Sequence, residues 1–185
     1  MALSERLELA QWIAIFVAQW AHVEGMLAQQ FACFEKAALP NNGREVLSAI
    51  KVFESHTSVD KKLKCLFDSC TTACEKTEER DRYTNAILKL RTLTKERNDI
   101  VHGRWGLSEA YPSALINLPK MSEPERTYIY ELKDFQELGQ RLSLIETEIG
   151  RSFEDGFQSE IMYDLDFGQS HLSVRVTKKT SSAAS

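Results

Sequence analysis

The run Arg97-Asn98-Asp99-Ile100-Val101-His102-Gly103-Arg104-Trp105 is where side chains able to do chemistry crowd together in this chain. An imidazole exchanges protons near neutral pH. A guanidinium offers a planar fork of donors that matches phosphate oxygens. Asn98 stands four residues before His102, one helical turn away, where its amide can hydrogen-bond the ring and hold one tautomer. Arg97 lies five residues before the histidine, roughly 140° around a helix from it. Together these groups suit holding a phosphate and moving a proton. The blander reading is structural: Arg and His recur at this spacing by chance, and His-Gly is an ordinary way to finish a helix.

The wider run RNDIVHGRW resembles the signature of the HEPN superfamily, an Arg, a following polar residue, and a His four to six residues after the Arg. Arg97, Asn98 and His102 match these features, and His-Gly-x-Trp is a familiar continuation. The resemblance spans roughly residues 5 to 150. It implies an all-α bundle, usually a homodimer, and often a metal-independent endoribonuclease of toxin–antitoxin or phage-defence systems. Arg104 stands where some members carry the tyrosine that a nucleotidylating antitoxin modifies, which argues against regulation by that route.

Composition sets the frame. At 185 residues and 43% hydrophobic, the chain can bury a real core. No apolar run has the length of a membrane span, and no secretion-type leader is evident, so a cytoplasmic location is expected. Cys65, Cys70 and Cys74 fall in one helical pattern without a convincing set of further ligands; they read as core thiols, and neither metal nor cofactor is expected. The net charge of −4 argues against non-specific binding to long duplex nucleic acid. Locally the balance reverses: Lys89, Arg91, Lys95, Arg97 and Arg104 face only Glu96 and Asp99 in that stretch, +3 in an acidic chain. A site for one or two phosphates fits that patch, although solvated helix charges are its ordinary meaning.

The elements that must position the run come next. Ser4 suits the cap of a first helix reaching about Ala38, with Ile13, Phe16, Val17, Trp20, Leu27, Phe31 and Phe34 as its buried stripe. Glu24 interrupts that stripe. A short second helix is expected from Arg44 to Glu54, and Ser58 caps a third, whose Lys61, Lys62 and Lys64 read as a solvated face. The fourth helix begins near Thr77 and ends on the run itself, with Gly103 just past its last residue. Its stripe, Tyr83, Ala86, Ile87, Leu90 and Leu93, is broken by Arg97. Two helices each carry one charge in an apolar seam, so a Glu24–Arg97 pair is expected.

After Trp105 the helical period is lost. Ala114–Leu118 and Thr127–Leu132 alternate as a small hairpin turning through Pro119 to Glu125. Asp134 reads as the cap of a fifth helix that Gly150 ends. The remainder suggests two short strands, at Ile161–Phe167 and Leu172–Val176, and a disordered tail.

The sequence thus describes a mainly α, HEPN-like bundle of about five helices with a small β-hairpin after the fourth. Residues 1–150 would form that domain and 151–185 a C-terminal extension. Arg97, Asn98 and His102 are its candidate catalytic residues, supported by Glu24, Lys95, Arg104 and Trp105. The expected activity is metal-independent RNA cleavage at a composite homodimer site, with RNA or a nucleotide as ligand and an antitoxin protein as a partner. The alternatives are a non-catalytic nucleotide- or RNA-binding module, and a structural dimer or adaptor.

Overall fold

The computed structural model describes residues 6–36, 43–74, 77–118, 127–156, 158–164 and 171–177, with side chains left undescribed at 36, 43–45 and from 156 onward. The protein is mainly helical. Among the described residues the order is α1 (Leu7–Lys36), α2 (Gly43–Ser55), α3 (Val59–Ala73), α4 (Glu78–His102), β1 (Arg104–Gly106), β2 (Leu115–Leu118), β3 (Tyr128–Tyr130), α5 (Leu132–Gly156), β4 (Gln158–Asp164) and β5 (His171–Thr177). The expected Ser4 cap, the end of the first helix near Ala38, the turn from Pro119 to Glu125 and the terminal tail lie outside the described residues. No helix among the described residues is long and apolar enough to cross a membrane.

Local signals account for most boundaries. Ser58 has extended backbone and its Oγ accepts from the Lys61 amide at 3.3 Å, which caps α3. Thr77 does the same for α4, accepting from the Arg80 amide at 3.2 Å, with Glu78, Glu79 and Asp81 facing the positive helix end. Asp134 is not the cap of α5. The helix starts two residues earlier, and the Asp134 carboxylate reaches back to the Glu131 amide at 2.7 Å, the returning half of a capping box. Gly150 does not end α5 either. A mid-helix glycine costs about 1 kcal/mol relative to alanine. Burying the Phe153 side chain one turn later returns about 1.5–3 kcal/mol, so the helix continues to Gly156.

The chain forms two compact units, one from Met1–Val23 with Thr92–Ile145, the other from Glu24–Arg91 with Glu146–Ser185. In the first, Leu9, Phe16, Trp20, Leu93, Ile100, Leu115, Phe135 and Leu142 are buried. Val17, expected in the α1 stripe, is exposed, and Val23 is buried in its stead. This unit also holds the antiparallel sheet β1-β2-β3, one strand more than the expected hairpin. The added strand is β1, made of Arg104, Trp105 and Gly106 directly after the helix, with Trp105 opposite Asn117 and Asn117 opposite Tyr128. Trp105, Tyr130 and Phe135 pack as a ring cluster with centroids 5.3–6.0 Å apart.

In the second unit the core is also aromatic. Phe34, Tyr83 and Phe153 meet at centroid distances of 5.4–6.2 Å, and the buried Tyr83 hydroxyl donates to Gln30 Oε1 at 2.8 Å. Cys33 and Cys70 are buried there as free thiols, while Cys65 and Cys74 are half-buried. A hydrogen bond with Cys74 and burial push the Cys70 thiol far above its ordinary range. After α5 the backbone pairs β4 with β5 antiparallel, from Gln158 opposite Thr177 to Asp164 opposite His171.

Candidate functional site

The last turns of α4 carry the site. Leu90, Leu93 and Ile100 are buried on its inward stripe, and Arg97 occupies the place in that stripe between Leu93 and Ile100. It is half-buried. Its guanidinium lies 5.9 Å from the ring centroid of Trp20, so the apolar seam ends on an aromatic face that accepts a cation. Arg97 Nη1 also donates to Asn98 Oδ1 at 3.0 Å.

That bond corrects one expectation. Asn98 gives its side-chain oxygen to Arg97, its immediate neighbour, and not to His102. A charged guanidinium makes the stronger hydrogen bond, and its long stem lets it curl around the helix to the amide. Asn98 therefore orients the arginine. His102 is exposed, the final residue of α4.

Gly103 stands just past the helix, as the sequence suggests, but for a different reason. Its backbone is not left-handed; a Cβ at this position would lie 2.0 Å from Asn117 Nδ2 and 2.2 Å from the Asp99 carbonyl oxygen. Asn117 is buried, and its Nδ2 donates to the Asp99 carbonyl at 2.8 Å. A side chain of β2 thus closes the end of the helix that bears His102. The sequence did carry a signal for it. An asparagine within the apolar strand Leu115–Leu118 is unfavourable unless its amide has buried work to do.

The basic cluster divides. Lys89 Nζ bonds Glu148 at 2.7 Å and Arg91 Nε bonds Asp60 at 2.5 Å, both within the second unit. Lys95, Arg97 and Arg104 are the three that share a unit with His102. Lys95 is exposed with its ammonium 5.9 Å from the Tyr128 ring centroid. Arg104 is exposed on β1, whereas Trp105 is half-buried in the ring cluster and acts there as packing. Tyr130, in the same cluster, has its hydroxyl pushed up to about 12, first by burial and then by the nearby Asp99 and Glu96 carboxylates. It is a neutral donor at any working pH.

Glu24 belongs to the second unit. Its Oε2 accepts from Lys62 Nζ at 2.5 Å, with both side chains about four-fifths buried. The stripe argument names only Arg97 as a cation for Glu24 and does not reveal Lys62. Nor is Lys62 part of a solvated face, for its ammonium also lies 5.9 Å from the Phe53 ring centroid. Lys64 does keep to the surface, paired with Asp68.

Comparison with protein-family models, with curated proteins and with solved structures returns no match for this chain.

Proposed function

We propose that the protein is a metal-independent endoribonuclease of a toxin or phage-defence type, acting as a homodimer. The observation that carries this reading is the aimed Arg97: a half-buried guanidinium held over Trp20 and tied to Asn98, five residues before an exposed histidine at the helix end. In the proposed reaction the substrate's own 2′-hydroxyl oxygen attacks the adjacent phosphorus as its proton passes to an imidazole. The bond from phosphorus to the 5′-oxygen breaks, and that oxygen takes up a proton. The products are a 2′,3′-cyclic phosphate and a free 5′-hydroxyl. An internal nucleophile needs no activated water, because proximity supplies the advantage. His102 serves as base or acid, a role typically worth about 10² to 10⁴ in rate. Arg97 stabilises charge on the five-coordinate phosphorus. One histidine does not fill both proton-transfer roles at once, so two copies make the complete site. Lys95 and Arg104 add positive potential along the incoming strand, and an antitoxin protein belongs to the same reading.

The test is incubation of RNA with the protein in EDTA, comparing wild type with His102→Ala. Cleavage by the wild type alone, giving cyclic phosphate ends and sparing a 2′-deoxy substrate, supports the proposal. Activity that EDTA abolishes and magnesium restores, or equal cutting of the deoxy substrate, overturns it. RNA binding without turnover by an intact dimer favours the binding-module alternative.

A further inference from the structure

We infer that Asn117 is the positioning residue for His102, and that the small sheet exists in this fold to hold the functional end of α4. This deepens the ribonuclease reading and rests on it for the chemistry, but not for the geometry. Three observations converge. Asn117 is only 4% exposed, and its amide donates to the Asp99 carbonyl at 2.8 Å across eighteen residues of chain. That carbonyl lies three residues before His102, where helix carbonyls lack onward partners. The second observation is the space at Gly103. The Asn117 amide occupies the place where any Cβ would sit, so the two residues form one close-packed joint. The third is register: β1 begins at Arg104, and Trp105 pairs with Asn117 itself. His102 is therefore the last residue before a junction gripped by backbone pairing on one side and by a buried amide on the other.

A side chain at a frayed helix end samples many positions, and a proton-transfer group does not tolerate that, since small misplacements cost large factors in rate. Asn117 removes the freedom without touching substrate. The joint also explains why the amide is irreplaceable by shape alone. Asn117→Asp keeps the volume but sets a carboxylate against the Asp99 carbonyl oxygen. Gly103→Ala meets the Asp99 carbonyl as well as the amide, so removing the amide does not make room for it.

The test compares wild type with Asn117→Ala and Asn117→Asp, using Phe153→Leu in the other unit as a control for general destabilisation. The readouts are the His102 ring resonance by NMR and amide exchange at Ile100–Gly103. In both Asn117 variants the ring resonance is expected to move towards its position in a disordered peptide, with amide exchange about five- to tenfold faster, the effect of losing one buried hydrogen bond. Phe153→Leu leaves both unchanged. Where wild type cleaves RNA, the Asn117 variants lower kcat with KM nearly unchanged. An unshifted His102 resonance and unaltered exchange in a folded Asn117 variant overturn the inference. So does the same response in Phe153→Leu. If Asn117→Ala does not fold, Asn117→Asp decides the question. A wild type that cleaves no RNA but shows these NMR responses refutes the ribonuclease reading and leaves Asn117 as the clamp.

Discussion

The guanidinium carbon of Arg97 stands 5.9 Å from the ring centroid of Trp20, a residue with 2% of its surface exposed. An arginine in an apolar stripe needs something to offset its lost hydration, and an indole face contributes about 0.5–2 kcal/mol in such a place. Trp20→Phe keeps a π face and is expected to retain most of any RNA cleavage. Trp20→Ala leaves a cavity and is expected to cost about 3–5 kcal/mol of stability by urea unfolding. Equal loss of activity in folded Phe and Ala variants would show that the ring face does not aim Arg97.

Arg97→Lys is a sharper probe of chemistry. Lysine keeps the charge but has no planar fork to bond both Asn98 and a phosphate. Its activity is expected to fall about 10²-fold or more, as when a transition-state donor is removed, with the thermal midpoint little changed. Near wild-type turnover in Arg97→Lys would reduce the residue to a point charge.

Glu24 and Lys62 are expected to be coupled. Losing a charged hydrogen bond in a part-buried site typically costs about 1.5–3 kcal/mol. A double-mutant cycle with Glu24→Gln and Lys62→Met should return a favourable coupling energy of about 1 kcal/mol or more. A coupling of zero would mean that each side chain is stabilised by other neighbours.

Stability should decline in alkali. Tyr130 and the buried Tyr83 have hydroxyls raised above the ordinary 10.0, Tyr130 to about 12. Between these values the unfolded chain loses phenolic protons that the folded protein retains. Unfolding then releases protons and stability falls as pH rises. The contribution is whole below pH 10 and is lost as pH climbs through about 12. Urea midpoints measured from pH 8 to 12 test this, and a profile still flat at pH 12 would contradict it.

Helices were legible because periodicity and caps are local. The α3 cap at Ser58, the start of α4 near Thr77 and the core places of Leu90 and Leu93 all follow from spacing. What escaped were effects of partners distant in sequence. Phe153 carries α5 past Gly150 because it meets Phe34 and Tyr83, and nothing near Gly150 announces those rings. Arg104 and Trp105 looked like the tail of a motif, yet they form a strand only because β2 is there to pair with. For the candidate site, residue types were visible but their bonds were not. Asn98 serves Arg97, Lys62 serves Glu24, and Asn117 required the fold to bring it to Asp99.

The bond from Asn117 to Asp99 closes a loop of eighteen residues, whereas Lys62 reaches Glu24 across thirty-eight and Tyr83 reaches Gln30 across fifty-three. Each doubling of loop length costs roughly 0.6 kcal/mol in chain entropy. Of these three closures, the one at the helix end is therefore the cheapest to make. On a ribosome, the segment bearing His102 has every residue of its clamp once Tyr130 has emerged, before α5 (Leu132–Gly156) has come out to pack against it. The order of synthesis favours a joint that is set early and a core that closes around it afterwards.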